Sequence, residues 1–295
     1  MTRPSREEAL LISPQAESIL MQRKIHVVAF ALLLSFALAT PAEAQQSTPQ
    51  SNINIAYETP TNPKLTSIYT RLKQRRVLEE LQAFMVPLRL PRDLTVRLAQ
   101  CDSENIPYKP QTPATICYEL IDKIEQVAAN HTTDPDLQQT VVIGGFVQAA
   151  LHETAHALFD VLDVPIWGRE DDAVDRLAAV VMMQFGDDVA NVVMFGSQLL
   201  FRWSNQKWTG NDFASEVSPD YQRYFNYACV AVAANWPQFG GLVSKGVIPP
   251  HRADRCESEY AQIRKAFNLR IMPHIDANLL IKIRAMPWLS WANQQ

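Results

Sequence analysis

The chain has 295 residues, of which 47% are hydrophobic and 20% are charged, and its formal net charge is -4. Such a composition is typical of a globular protein, and the length allows one large domain or two small ones. Because the charge balance is acidic and no basic stripe is present, the sequence argues against a nucleic-acid-binding function.

The N-terminal segment has the three parts of a secretory signal peptide. The basic pair Arg23-Lys24 precedes an apolar run from Ile25 to Ala39, and Ala42-Glu43-Ala44 follows as a small-residue cleavage pattern. The run is shorter than the roughly 20 residues of a membrane span, so an uncleaved anchor is the less favoured alternative. Met21 offers a second possible start. We predict a signal peptide over residues 1–44, export to the periplasm or beyond, and no stable membrane span after cleavage.

The rest of the chain divides into a leader and one domain. Residues 45–64 are rich in Gln, Ser, Thr, Asn and Pro, which predicts a flexible leader. Residues 65–295 then form a single compact domain without an internal repeat.

Hydrophobic spacing within this domain predicts a few strands and a larger number of helices. Two strands are expected, within residues 88–101 and in the segment ATICYEL at 114–120. Helices are expected over 65–86, 121–130, 137–162, a stretch after Gly168, 188–203, 221–234 and 254–267. The fold class is therefore α+β, mainly helical with a small N-terminal sheet.

Four cysteines, Cys101, Cys117, Cys229 and Cys256, suit disulfide bonds in an exported chain. Three pairings are possible. The simplest joins Cys101 to Cys117 and Cys229 to Cys256, because each bond closes a local loop. A four-cysteine metal site is the alternative, but no C-x-x-C spacing supports it.

The segment from His152 to His156 reads H-E-x-x-H within a long apolar helix. Residues four apart lie on one helix face, so both imidazoles can point at one zinc ion. Zinc lowers the pKa of a bound water to about 7, and Glu153 would accept its proton as the catalytic base. The alternative is a pair of structural histidines, but buried histidines on an apolar helix need partners.

A catalytic zinc site usually has three protein ligands, so a further ligand is needed. The other histidines are remote in sequence, whereas an acidic cluster begins at Glu170. Asp171 and Asp175 lie four residues apart, which favours Asp171 as the third ligand and Asp175 as a residue that orients a histidine. Glu170, with its longer side chain, is the alternative ligand.

Several blocks together resemble a bacterial family of exported candidate metallopeptidases that is classed as a domain of unknown function. The blocks are C…NxxYxP…CYEL from Cys101 to Leu120, the stretch from His152 to Ala178, DYQRYFNYAC from Asp220, and IPPHRADRCESEY from Ile248. The resemblance implies a zincin-like fold and a zinc-dependent peptidase acting on peptides or proteins. It also supports the cysteine pairing by analogy.

Two positions depart from the family pattern. Glu is usual where Asp171 stands, and a histidine often precedes the D-x-Q-R run, near Val217 here. If that histidine stabilises the oxyanion in relatives, another residue must do so in this chain, and the candidates are Arg223, Tyr221, Tyr224 and His251. Arg223 has an alternative partner in Asp220, three residues earlier. The segment ATICYEL, with Tyr118 and Glu119, is a candidate substrate-binding strand.

Two functions remain open at this point. The first is an exported zinc metallopeptidase that hydrolyses peptide bonds. The second is a zincin-fold protein without activity that serves as a periplasmic binding or chaperone-like module. The departure at Asp171 favours the second, and the intact H-E-x-x-H motif favours the first.

Overall fold

The computed structural model describes residues 52–104, 106–204 and 213–289. Within these residues the chain forms a three-stranded sheet and nine helices of eight residues or more. The strands are β1 (Ile53–Tyr57), β2 (Leu94–Ala99) and β3 (Ala114–Cys117). The helices are α1 (Thr66–Gln74), α2 (Val77–Met85), α3 (Tyr118–His131), α4 (Pro135–Val161), α5 (Glu170–Met182), α6 (Asp187–Ser204), α7 (Asp220–Ala234), α8 (Pro250–Arg270) and α9 (Ala277–Arg284). The predicted α+β class is confirmed.

The sheet is parallel throughout, with β2 between β1 and β3. Ile53 is in register with Leu94, and Val96 is in register with Ala114. Every residue of β3 is buried, as is typical of a strand in a parallel sheet covered by helices. The sheet therefore forms one wall of the core at the N-terminal end of the domain.

Strand β1 corrects the predicted leader. Residues 53–57 were expected in a flexible segment, but Ile53, Ile55 and Tyr57 alternate with the smaller residues Asn54 and Ala56 and pack against the core. The Tyr57 hydroxyl also accepts a hydrogen bond from the backbone N–H of Leu78. The folded unit thus begins before residue 65, and the predicted signal peptide lies outside the described residues.

The single helix predicted over 65–86 is also corrected. It is two helices, α1 and α2, separated at Arg75 and Arg76, and Arg76 adopts a left-handed backbone conformation with φ 53°. The break lets the two helices turn separate apolar faces to the core, with Leu72 buried in one and Leu78 in the other.

Helix α4 is the central element of the domain. It packs against α3, α5, α6 and strand β3, and buries most of its 27 residues. Its closest neighbour is α6, and they meet at glycines: a Cβ on Gly196 would lie 2.0 Å from the carbonyl oxygen of Thr140. Only glycine allows this approach, so α6 lies close against α4.

Two disulfide bonds tie the outer parts of the domain. Cys101 is bonded to Cys117 and Cys229 to Cys256, as predicted. The first closes the loop between β2 and β3, and the second joins α7 to α8. Among the described residues, no helix is long and apolar enough to cross a membrane.

Candidate metal centre

Helix α4 presents both histidines of the H-E-x-x-H motif on one face. The start of the helix is fixed by Asp134, whose side chain accepts hydrogen bonds from the backbone N–H groups of Asp136 and Leu137. His152 and His156 lie one turn apart and are both buried. Their Nε2 atoms are 3.2 Å apart, so two ring nitrogens face one small space.

Asp171 brings a carboxylate oxygen to the same space from the first turn of α5. Its Oδ1 lies 3.4 Å from Nε2 of His152 and 3.7 Å from Nε2 of His156. A tetrahedral ion with bonds of 2.0–2.1 Å keeps its ligand atoms about 3.4 Å apart. The spacing of these three atoms therefore suits one metal ion, and the three residues are the only such group in the described part of the chain.

Glu170, the alternative ligand of the sequence analysis, lies on the other edge of the His156 ring. Its Oε1 is 2.8 Å from Nδ1 of His156, and its side chain is 45% exposed. The Nδ1 edge of the ring faces this carboxylate, and Nε2 is turned toward Asp171. Glu170 is thus placed to orient a histidine rather than to share the ligand space.

Asp175 lies in the matching position at His152. Its Oδ1 lies 2.8 Å from Nδ1 of His152, and the side chain is buried. Arg223 donates from Nε to Oδ2 at 2.7 Å and from Nη2 to Oδ1 at 2.9 Å. Gln148 and Tyr227 complete the contacts of Oδ1 at 3.2 and 3.3 Å. One carboxylate therefore receives donors from two other helices, α4 and α7, and His152 is held in a single orientation.

Arg223 is engaged in this network. The structure gives it Asp175 as its close partner, and Asp220, the alternative named from the sequence, lies at 3.5 Å. Its guanidinium also lies over the ring of Phe201 at 4.3 Å. Of the other oxyanion candidates, Tyr221 and His251 line a groove beside α7 and α8.

The ionisation of these groups follows from burial and charge. Burial lowers the pKa of His152, but the hydrogen bonds to Asp171 and Asp175 outweigh it and raise the pKa to about 9. The pKa of His156 is raised in the same way, against its burial, by Asp171 and Glu170. Hydrogen bonds to the two histidines lower the pKa of Asp171. Burial would raise the pKa of Asp175, but the charge of Arg223 lowers it.

Glu153 lies beside the histidines and is buried as deeply as they are. No residue in the described ranges forms a hydrogen bond with its carboxylate. Burial raises its pKa, while the charges of His152 and His156 lower it. A carboxyl group with a raised pKa and no fixed partner can take up and release a proton.

The disulfide-closed loop between β2 and β3 covers the other side of the histidine pair. The ring of Tyr108 stacks on His156, with centroids 5.7 Å apart and an interplanar angle of 10°. The Tyr108 hydroxyl donates to Oδ2 of Asp160 at 3.0 Å, and the backbone N–H of Gln111 donates to the same oxygen at 2.9 Å. Arg92 also contacts Asp160, at 2.7 Å. Asp160 thus anchors the loop that positions the ring against His156.

Sequence reasoning missed four residues around the histidine pair: Gln148 and Asp160 on the same helix, and Arg92 and Tyr227 from distant segments. A local signal exists for two of them. Gln148, His152, His156 and Asp160 recur every four residues and form a polar stripe along an otherwise apolar helix. Polar residues at that spacing on a buried helix must all find partners, so the stripe marks the length of the site.

The segment ATICYEL differs from its predicted form. Only Ala114–Cys117 is strand, and Tyr118 and Glu119 belong to the first turn of α3. Tyr118 is buried and donates from its hydroxyl to the backbone carbonyl of Glu58, while Glu119 accepts from the N–H groups of Cys101 and Asp102. These two side chains therefore hold the chain together and do not face a substrate. Strand β3 does form an edge of the described sheet and packs on α4.

The domain is mainly helical, and the two histidines of its H-E-x-x-H motif lie beside an aspartate from the next helix. This arrangement is a candidate metal centre of the type found in metallopeptidases. Residues 57–269 match the model of the DUF4344 family, which is described as "Putative metallopeptidase". The chain belongs to this family. No curated protein and no solved structure matches the chain.

Proposed function

We propose that this protein is a zinc-dependent peptidase with His152, His156 and Asp171 as the metal ligands. The observation that carries the proposal is the spacing of their three ligand atoms, at 3.2, 3.4 and 3.7 Å. Two imidazoles and one carboxylate are a common ligand set for catalytic zinc, with the fourth position left to water or substrate. When bound, zinc would polarise the substrate carbonyl and lower the pKa of a bound water to about 7.

Glu153 is the proposed general base. It is the neighbour of a ligand histidine, its carboxylate has no fixed partner among the described residues, and its burial raises its pKa toward neutral pH. It accepts a proton from the attacking water and then delivers it to the leaving amine, as a general base and acid must do in turn. A glutamine at this position would keep the shape and lose the proton transfer.

Asp175 and Glu170 are proposed to position the ligands. Each accepts the Nδ1–H of one histidine at 2.8 Å, which fixes the tautomer that exposes Nε2. Arg223 keeps Asp175 ionised. The two histidines therefore need no rearrangement of their own hydrogen bonds when metal binds.

The proposed substrates are peptides or proteins, in keeping with the family description. We further propose that the protein is exported. Two disulfide bonds and a family of metallopeptidases fit an oxidising compartment outside the cytoplasm.

The test is metal content and hydrolysis measured on the same preparations. We expect zinc in the wild-type chain after expression in zinc-supplemented medium, its loss in Asp171→Ala, and its retention in Glu170→Ala. Glu153→Gln should keep the zinc and lose hydrolysis of a mixture of unstructured peptides. Retention of zinc in Asp171→Ala would refute the ligand set. Zinc without hydrolysis in the wild-type chain would instead indicate a binding module.

A further inference from the structure

A second cavity lies on the face of α4 that is turned away from the histidine pair. Its volume is about 450 Å³, within the range of small-molecule sites. Helix α4 contributes Leu151, Leu158 and two of the three residues between the histidines, Thr154 and Ala155. Since residues two apart on a helix point in nearly opposite directions, the cavity and the metal centre lie on different sides of the same turn.

The wall of this cavity is mainly apolar. Aliphatic and aromatic side chains come from α2, α5, α8, α9 and the segment before α9, and include Phe84, Leu177, Phe267, Ile271, Leu280 and Ile283. No Asp or Glu is among the described residues that line it. An occupant must therefore have an apolar body, because a polar one would lose its hydrogen bonds with water and gain few in return.

Two arginines, Arg264 and Arg284, give the cavity its polarity. Both line it and are exposed, so their guanidinium groups lie where the cavity meets solvent. Arg284 donates to the side-chain oxygen of Gln184 at 2.5 Å, and Arg264 lies over the ring of Tyr260 at 5.8 Å. Neither has a carboxylate partner within the described ranges, whereas Arg92, Arg223 and Arg252 each pair with one. Two guanidinium groups at an apolar opening favour an anion.

We propose that this cavity binds a single-chain amphiphile, with an aliphatic chain against the apolar wall and an anionic head group at Arg264 and Arg284. A carboxylate or a phosphate head would satisfy the guanidinium groups, since both accept two parallel hydrogen bonds. Such a ligand could come from free fatty acid in solution or from the surface of a membrane. The cavity encloses one chain from several sides, so we assign the soluble, single molecule as the ligand.

The experiment uses dodecanoate, dodecyl phosphate and dodecan-1-ol below their micellar concentrations, measured by displacement of a fluorescent fatty acid from the purified chain. The two anions should bind, and the alcohol of equal length should bind at least tenfold more weakly. The double variant Arg264→Gln/Arg284→Gln should weaken dodecanoate binding about fivefold to tenfold, as expected for two partly exposed charges. Arg255→Gln is the matched control, because Arg255 is exposed on the same helix and lies outside the cavity.

A second variant, Leu280→Asp, tests the apolar wall of the cavity rather than its two arginines. Leu280 is half-buried, so the change is tolerable to the fold, and an added carboxylate should repel the anionic ligand. Equal binding of dodecan-1-ol and dodecanoate, or unchanged binding in the double variant, would overturn the proposal. So would sedimentation with phosphatidylglycerol vesicles without dodecanoate binding, which would indicate a membrane surface instead. Glu153→Gln should bind dodecanoate as the wild-type chain does. The amphiphile proposal can therefore fail or hold independently of the peptidase proposal.

Discussion

Replacement of Asp175 by asparagine is the sharpest test of the network behind the histidines. The carboxylate accepts from Nδ1 of His152 at 2.8 Å and from two nitrogens of Arg223 at 2.7 and 2.9 Å. Asparagine offers one oxygen and turns an NH₂ group toward a donor. Arg223, buried and always charged, would keep only Asp220 at 3.5 Å.

Removal of one partner of a buried ion pair lowers the free energy of unfolding by about 3–5 kcal/mol, because the other charge stays buried without compensation. We expect Asp175→Asn to lower the free energy of unfolding by that amount. Its effect on zinc should be separate: loss of a residue that orients a ligand weakens metal binding about 10-fold to 100-fold. Urea unfolding monitored by tryptophan fluorescence in the presence of chelator measures the first effect, and competition with a zinc indicator at pH 7 measures the second.

Asp172→Asn is the matched control. Asp172 lies on the same helical turn as Asp171, is half-buried, and has no ion pair among the described residues. We expect it to change the free energy of unfolding by less than about 1 kcal/mol, the size of a helix-dipole contribution. A loss below about 1 kcal/mol in Asp175→Asn would refute the reasoning, since the ion pair with Arg223 would then contribute no more than a surface pair.

The remaining predictions concern the centre itself. Glu153→Gln should lower the rate of peptide hydrolysis by about 10²–10⁴-fold at unchanged zinc content, the range for loss of a general base, and a smaller effect would assign the proton transfer elsewhere. Because the pKa of His152 is raised from 6.5 to about 9 without metal, zinc must displace protons, and its affinity, measured with a zinc indicator, should rise from pH 6 to pH 9. The raised pKa of His152 also stabilises the metal-free fold. This stabilisation is complete below about pH 6.5 and is lost as the pH rises through about 9, so the urea midpoint measured in chelator should fall over that interval. Tyr108→Phe should lower the free energy of unfolding by about 1 kcal/mol through loss of the hydrogen bond to Asp160 and keep zinc affinity, because the ring still stacks on His156.

Sequence patterns were sufficient to predict those features whose pattern lies within one segment of the chain. The apolar run before His152 predicts the long helix, and the spacing of Asp171 and Asp175 predicts different roles for these two acids, which lie at opposite nitrogens of the His152 ring. Both disulfide bonds follow from the proximity of their cysteines along the chain. In each case the information lies within a few turns of one segment.

The elements that sequence reasoning missed depend on contacts between distant segments. Strand β1 has the alternating pattern of Ile53, Ile55 and Tyr57, but it lies in polar, low-complexity surroundings and needs β2 as a partner. The break at Arg76 has no local cause, since arginine favours helices and rarely adopts the left-handed conformation. Arg223 lies 48 residues from Asp175 in the chain, and its nearer partner Asp220 satisfies the local pattern equally well.

The charges around the histidine pair set protons against the proposed metal. The carboxyl groups of Glu153, Asp171 and Asp175 lie around the pair, and Arg223 is paired with Asp175. Without metal, and against their burial, hydrogen bonds to carboxylates raise the pKa of both histidines, which favours their protonated forms. The proposed metal would bring its positive charge to the same nitrogens. Protons and metal would thus compete for one set of acceptors, which is why zinc affinity should rise with pH.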